Sequence, residues 1–461
     1  MPYLLKKYYS PRKIFFFCGE GLLIFLSLLS VYILFKGSDL AFDSMLLYGF
    51  RAILVTFIFQ LCLYFFDLYD LGQILRPVDI VVSIIQAFGV GCIVLSFIYF
   101  ISPVSIIPTR IFLPGFAAVL IGVFTWRFLY NLIIRKKLFA NPVIIIGTGK
   151  IAQDISNEIL RNRDTGYKIS CFIGEPNPKF QLPDSIPITP NIKQLAHLCQ
   201  EHNIQQVVVA IDDRRGSTPI RQLMECKFLG FPVESGIKFY ERLTGKILVE
   251  NVKPASIIFS DGFKKTRLLT LSKQILDMIL ALIGLIVTLP ITLFSALIVR
   301  LESPGPIFYR QERVGLYGKT FNVIKFRSMR NDAEKDGPVW AQKNDTRITR
   351  YGNFIRKTRI DELPQLINVL KGEMSFVGPR PERPVFVDQL ALKIPYYQIR
   401  HNVMPGITGW AQICYPYGSS EEDALRKLEY DLYYLKYMSV TMDLSIIFQT
   451  LKTVLFRKGS R

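Results

Sequence analysis

Arg356-Lys357-Thr358-Arg359-Ile360-Asp361-Glu362-Leu363-Pro364-Gln365-Leu366-Ile367-Asn368-Val369-Leu370-Lys371-Gly372 reads as a short helix with chemistry at its start. Leu363, Leu366, Ile367 and Leu370 recur at the spacing of one buried helical face. Pro364 is tolerable only in the first turn, where its missing N–H would be unpaired anyway. Gly372 suits a C-cap. Asp361 and Glu362 are therefore expected at the helix N-terminus, beside backbone N–H groups that favour anions. Arg356 precedes them and Arg380 follows, in Gly378-Pro379-Arg380-Pro381. Two adjacent acids between arginines suit a phosphate site with a divalent metal, one carboxylate to attack or activate and one to hold the metal. The plainer reading is a pair of acids that complements a helix dipole, and spacing alone favours it.

The surrounding chain is apolar and basic. Of 461 residues, 50% are hydrophobic and 13% aromatic, and the formal charge is +19. Such a charge calls for an anionic surface or ligand: lipid headgroups, diphosphates or nucleic acid. Nucleic acid is set aside, because the basic residues cluster beside apolar runs and at diphosphate-like positions. The seven cysteines show no CxxC or metal-ligand spacing and the histidines number three, which argues against a disulfide framework, a zinc site or a His-based metal cluster. His401, in Arg400-His401-Asn402, is read as a surface or packing residue.

Four apolar runs, Ile14–Phe35, Met45–Phe66, Ile80–Ile101 and Ile111–Ile134, are each long enough to cross about 30 Å of hydrocarbon. Glu20, Arg51 and Arg127 interrupt them, and pairing inside a helix bundle is the expected use of these charges. Lys6, Lys7, Arg12 and Lys13 precede the first run, and Arg135, Lys136 and Lys137 follow the fourth, which places both ends of the bundle in the cytoplasm. The run Val143-Ile144-Ile145-Ile146 then enters Gly147-Thr148-Gly149-Lys150-Ile151-Ala152, a strand–turn–helix with a Rossmann-like fingerprint. Gly147 and Gly149 are the candidate nucleotide-binding residues, with Glu175 a distant candidate for the ribose. No Tyr-x-x-x-Lys pair follows, and a regulatory or assembly role with an empty or weak site is expected.

The run Ile275–Val299 poses a conflict. Its length suits a fifth span, yet Lys264, Lys265, Arg267 and Lys273 lie before it and Arg300, Arg310, Arg313 and Lys319 after it. Positive charge on both flanks puts both ends in the cytoplasm, which one spanning helix cannot do. Pro290 supplies a bending point. A re-entrant helix satisfies charge and length together. Beyond it, Lys325 and Arg327 lie two apart, so a strand there would turn both to one face, where they suit a diphosphate. Leu444–Phe456 reads either as an amphipathic helix on the membrane surface or as a packing helix.

Four motifs occur in order: Lys325-Phe326-Arg327-Ser328-Met329, Asp361-Glu362-Leu363-Pro364-Gln365-Leu366, Met374-Ser375-Phe376-Val377-Gly378-Pro379-Arg380-Pro381 and Pro405-Gly406-Ile407-Thr408-Gly409-Trp410-Ala411-Gln412. Over roughly Leu269 to Gly459 this set resembles the bacterial sugar transferases that act as polyprenyl-phosphate hexose-1-phosphate transferases. The resemblance implies the large form of that family: a four-helix transmembrane bundle (1–137), a Rossmann-like α/β domain (138–260), and a mainly helical catalytic phosphoglycosyltransferase domain (261–461) with a re-entrant helix at about 275–299. In that family the kink is commonly Ser-Pro; here Leu289 precedes Pro290.

The implied reaction moves a sugar 1-phosphate from a UDP-sugar, usually UDP-glucose or UDP-galactose, to polyprenyl (undecaprenyl) phosphate. UMP is released through a covalent phosphosugar on Asp361, in initiation of surface-glycan synthesis. Glu362 would hold Mg²⁺, and Lys325, Arg327, Arg356 and Arg380 would bind substrate phosphate. The expected setting is the bacterial cytoplasmic membrane with the site facing the cytoplasm, membrane lipid as a partner, no nucleic acid, and a homodimer as an assembly left open. A polysaccharide polymerase or export component, and a membrane-tethered nucleotide-binding regulator, are the competing readings. Four spans are few for a sugar channel, and the regulator leaves the motif order unexplained.

Overall fold

The computed structural model describes residues 11–36, 42–69, 77–135, 140–162, 165–212, 219–251, 262–263, 265–330, 346–415, 418 and 420–455. Lys6, Lys7, Lys136, Lys137, Lys264 and Phe456, named above, lie outside the described residues. The chain divides into two compact units, Met1–Thr244 and Gly245–Arg461.

In the first unit the apolar runs become α1 (Pro11–Lys36), α2 (Phe42–Phe65), α3 (Pro77–Ile101) and α4 (Thr109–Arg135). Each is long and apolar enough to cross a membrane. Ile24, Val55, Phe59, Leu63, Phe88, Val119 and Val123 form their shared core, yet Leu34 and Phe100 are 80% and 85% exposed. Apolar side chains both inside and out fit a membrane protein, since a helix satisfies its own backbone in lipid and needs no polar face. The intramembrane charges are partly paired as expected. Arg127 meets Glu20 twice, at 2.7 and 2.8 Å, and donates to the Leu68 carbonyl at 2.6 Å. Arg51 instead donates to the Val104 carbonyl at 2.9 Å, tying α2 to the turn after α3.

The same unit holds β1 (Asn141–Ile146), α5 (Lys150–Arg161), β2 (Tyr167–Ile173), β3 (Ile188–Thr189), α6 (Leu195–Glu201), β4 (Gln206–Val209), α7 (Ile220–Phe228), β5 (Val233–Ser235) and α8 (Gly236–Thr244). The strands form one parallel sheet in the order β3-β2-β1-β4-β5. Ile144, Ile146, Val207 and Val209 fill its core beside Leu195 and Cys199. This Rossmann-like layout agrees with the run Val143–Ile146 entering a glycine turn. Gly147 takes φ +117°, against the backbone of Ala210, a conformation only glycine adopts readily.

The second unit opens ahead of the expected boundary near 260. Gly245 accepts from the Trp410 indole N–H at 2.8 Å, and Ile247 N–H donates to the Glu429 carbonyl at 3.0 Å. Then α9 runs from Arg267 to Glu302, 36 residues with Pro290 inside, or about 54 Å along a straight axis. Its apolar sides are exposed around the proline. Thr288 and Thr292 hydroxyls donate to the carbonyls four residues back, Gly284 and Thr288, a bond that bends helices.

Both ends of α9 are fastened to the elements that follow: β6 (Phe308–Val314), β7 (Thr320–Phe326), α10 (Arg350–Lys357), α11 (Gln365–Leu370), β8 (Ser375–Val377), α12 (Pro384–Lys393), β9 (Gly406–Thr408), α13 (Trp410–Cys414), α14 (Glu421–Tyr437) and α15 (Val440–Leu455). Near its start, Lys273 meets Asp443 at 2.7 Å and the Val377 carbonyl at 2.9 Å, and Asp277 accepts from Phe376 N–H at 3.0 Å. Near its end, Ser295 meets the Tyr351 hydroxyl at 2.9 Å, Glu302 accepts from Tyr351 N–H at 2.7 Å, and Val299 packs on Phe326 and Ile355. In α15 Asp443 and Ile446 face inward while Leu451 is exposed, so it packs along one side.

Candidate active site

Helix α10 starts at a Thr349 cap, whose hydroxyl accepts from Gly352 N–H at 2.9 Å. It ends at Thr358, and Arg359 reverses the chain in the left-handed region at φ +61°. One 3-10 turn, Ile360–Glu362, follows before Pro364 and α11. The two acids thus occupy their own tight turn rather than the first turn of the α-helix. The expected apolar face is also narrower. Leu366 and Val369 are buried, Leu370 is exposed, and Gln365 and Asn368 share the buried side. Gly372 closes the segment at φ +74°, as a C-cap glycine should.

Asn368 is the residue that makes this geometry stiff, and periodicity gave no hint of it. Its side-chain oxygen accepts from Ile324 N–H at 3.0 Å, and its amide donates to the Asn322 carbonyl at 2.8 Å and to Glu373 at 2.6 Å. One fully buried amide therefore fixes strand β7, which carries Lys325, against the helix that follows Asp361 and Glu362. Replacing Asn368 by an apolar residue leaves the Ile324 N–H and the Asn322 carbonyl without this partner.

Asp361 and Glu362 are only 8% and 9% exposed, and their surroundings divide them. Glu362 is met by Arg380 at 2.7 Å, Lys325 at 3.3 Å and Arg359 at 3.5 Å. Burial would raise its carboxyl, but Arg380, Lys325 and Arg359 together outweigh it and hold it well below the usual carboxylate range. Burial and the adjacent Glu362 charge lift Asp361 to about 6, against a smaller pull from Lys325, Arg356 and Arg359. Burial likewise lowers Lys325, although Glu362 opposes that. One oxygen of Asp361, Oδ1, is buried without a hydrogen-bond partner. The pair therefore consists of one carboxylate neutralised by cations and one left to meet something else.

Lys325, Arg356 and Arg380 all face this pair. Arg327 turns away, and donates to the carbonyls of Val299, Ser303 and Pro304 and to the Ser303 hydroxyl. The strand ends at Phe326, so the two-residue period that would have aligned Arg327 with Lys325 no longer applies. Arg327 caps the last turn of α9 instead. Arg359 joins the site without having been singled out. His401 lines a shallow pocket with Arg380, Pro381 and Val403, and burial together with Arg400 lowers it to about 4, so its ring is neutral at pH 7.

Among the described residues no three His, Cys, Asp or Glu side chains gather into a metal cage. Mg²⁺ does not need one. It commonly takes one or two carboxylates and completes its shell with water and substrate phosphate. Adjacent carboxylates with one unpartnered buried oxygen fit that use by donor type.

The middle domain is arranged otherwise. The N–H groups of Lys150 and Ile151, where a pyrophosphate would sit in a dinucleotide-binding fold, donate to the Asp212 carboxylate at 2.8 and 3.3 Å. Gly149 lies directly under that carboxylate, where any Cβ would collide with it. Thr148 is turned to the Glu175 carbonyl at 2.6 Å. Gly149 thus accommodates the chain's own carboxylate, while Gly147 makes room for the Ala210 backbone.

Residues 268–457 match the family model described as bacterial sugar transferase, and residues 64–226 match one described as CoA-binding domain. The chain is 40% identical over 241 residues to a UDP-N-acetylgalactosamine-undecaprenyl-phosphate N-acetylgalactosaminephosphotransferase of Aeromonas hydrophila, covering 52% of this chain and 56% of that protein. It is 36% identical over 267 residues to a UDP-glucose:undecaprenyl-phosphate glucose-1-phosphate transferase of Escherichia coli, covering 56% of each. It is 57% identical over 128 residues to a putative undecaprenyl-phosphate N-acetylgalactosaminyl 1-phosphate transferase of Bacillus subtilis, covering 28% of this chain and 72% of that protein. The aligned region spans about half the length of the first two relatives.

Proposed function

The chain belongs to the bacterial sugar transferase family, and from that premise we propose that it transfers a sugar 1-phosphate from a UDP-sugar to polyprenyl phosphate at the cytoplasmic face of a bacterial membrane. The observation that carries this reading is the divided acid pair: a buried Asp361 with an unpartnered oxygen beside a Glu362 gripped by three cations. Relatives are named for glucose and for N-acetylgalactosamine, which supports a hexose or N-acetylhexosamine as the sugar. The test is incubation of the purified protein with polyprenyl phosphate and a panel of UDP-sugars, reading released UMP. No release with any sugar would refute the reading.

In the proposed mechanism an Asp361 oxygen attacks the phosphorus that bears the sugar. The new O–P bond forms as the bond to the UMP oxygen breaks, and UMP leaves with that electron pair. An oxygen of polyprenyl phosphate then attacks the same phosphorus and expels the Asp361 carboxylate, which completes the diphosphate-linked sugar. Lys325, Arg359 and Arg380 stand where a phosphate displaces them from Glu362, and Arg356 faces Asp361, so positive charge is in place before substrate arrives. Glu362 would hold Mg²⁺, which when bound supplies charge neutralisation to a diphosphate.

Asp361 attacks only when ionised. Because its carboxyl is raised to about 6, kcat/KM is expected to rise about tenfold per unit below about pH 6 and to level off by about pH 7. A profile flat from about pH 5 to about pH 8, measured on the recovered wild type, removes Asp361 as the titrating nucleophile.

The fastening of α9 supports a re-entrant path. Its two ends pack on elements of the same unit, which a helix threading a bilayer would have to place on both faces at once. In a cysteine-free background, Arg267→Cys and Lys319→Cys are expected to be protected together from an impermeant thiol reagent outside intact cells, and to label together in inverted vesicles. Outside labelling of the Lys319 position alone would mean that the helix spans.

A further inference from the structure

The loop Gly378-Pro379-Arg380-Pro381-Glu382 carries the arginine that grips Glu362, and its sequence restricts how it can be held. Pro379 and Pro381 have no N–H to donate. The Gly378 N–H donates to the Thr408 carbonyl at 2.9 Å, and beyond it four carbonyls in succession accept. Pro379 accepts from Gly406 N–H at 3.0 Å, Arg380 from Arg400 Nη2 at 3.1 Å, Pro381 from Arg313 Nη1 at 3.0 Å, and Glu382 from Val314 N–H at 2.9 Å. The Arg400 guanidinium thus holds the carbonyl of the residue that bears the Arg380 side chain.

Arg400 is an expensive way to make that bond. It is 5% exposed, and its charge is balanced by Asp431 of α14, 2% exposed, at 2.8 Å. Its Nη1 donates to the Tyr397 hydroxyl at 2.7 Å. A buried ion pair seldom stabilises a fold more than apolar packing of the same volume would. What this one supplies is a rigid, planar donor aimed at a single carbonyl. The line of contact runs from Asp431 through Arg400 to the Arg380 backbone, then along the Arg380 side chain to Glu362, next to Asp361.

We infer that Arg400, backed by Asp431, is a positioning residue for Arg380 and acts on sugar-phosphate transfer only through it. The inference rests on the transfer reading above. A double-mutant cycle tests it, because residues that act as one unit lose their effects non-additively. Full-length wild type, Arg400→Lys, Arg380→Ala and the double variant are compared in lipid nanodiscs, with polyprenyl phosphate and the UDP-sugar that the wild type turns over. Arg400→Lys keeps the charge and loses the fork, and is expected to lower kcat/KM by about tenfold or more. In the Arg380→Ala background the same change is expected to cost less than about twofold.

Asp431→Asn, which removes the counter-charge and keeps the shape, forms a second arm with the same expected pattern. Losses that multiply in both arms would overturn the inference, as would failure of both variants to fold, since either outcome makes the pair a structural element only. A wild type inactive with every UDP-sugar would instead refute the transfer reading itself.

Discussion

Asp361→Asn protein is expected to release UMP at less than about one ten-thousandth of the wild-type rate, and to melt a few degrees higher than wild type at about pH 8. The loss follows from removing the attacking oxygen's charge in a mechanism with no second nucleophile at that position. The gain follows from the cost of keeping that charge in the fold. The Asp361 carboxyl is raised from 3.8 to about 6 by burial and by Glu362. Such a group favours the folded state below about pH 3.8, and this contribution is lost as pH rises through about 6. At pH 8 the ionised form works against folding by about 2–3 kcal/mol, and the neutral amide relieves it. UMP release and thermal unfolding of the same preparation check both halves. Near-wild-type turnover in Asp361→Asn would end the covalent mechanism, and a lowered melting temperature would show that the carboxylate stabilises the fold.

The second large effect concerns where the catalytic unit begins. A protein starting at Gly245 is expected to fold in detergent or lipid and to transfer sugar phosphate, whereas one starting at Asp261 is expected to aggregate or to be inactive. The span 245–251 is bound into the unit. Removing it strips the partner of the buried Trp410 indole N–H and the Lys246 ammonium 3.6 Å from Glu429. It also removes the buried apolar side chains of Ile247, Leu248 and Val249. Glu429 is 0% exposed, and burial raises its carboxyl although Lys246 and Arg426 oppose this. An unpaired buried donor costs about 1–3 kcal/mol and a buried charge stripped of a partner costs more. The sum is comparable with the stability of an ordinary domain, about 5–15 kcal/mol. Size-exclusion profiles and UMP release of the two proteins decide the matter. Equal activity from the Asp261 start would show that residues 245–251 only lie alongside the unit.

Several features of this architecture were readable in the residues. Apolar runs and their lengths specified the helices of the first unit, and Val143–Ile146 entering a glycine turn specified the parallel sheet. The order of the four motifs pointed to Asp361, Glu362, Lys325 and Arg380, and these do meet. What stayed hidden depends on distant partners. Asn368 matters because strand residues Asn322 and Ile324 lie against it. Arg359 enters the site because its backbone turns left-handed, which no side-chain pattern encodes. Arg327 leaves the site because β7 stops one residue earlier. Leu370 is exposed because α11 spans only Gln365–Leu370 and its buried side is shared with Gln365 and Asn368.

The carboxylate of Asp212 gives the middle domain an occupant of its own. Tethered on the loop after β4, it is presented to the Lys150 and Ile151 amides at an effective concentration set by the fold rather than by the cell, commonly millimolar or higher for short tethers. A free phosphate meets those amides as a competitor, and its apparent affinity is divided by the strength of the internal contact. Deleting the tethered group, as in Asp212→Ala, is then worth more to a weak anion than any new contact, since it removes a rival that cannot be diluted.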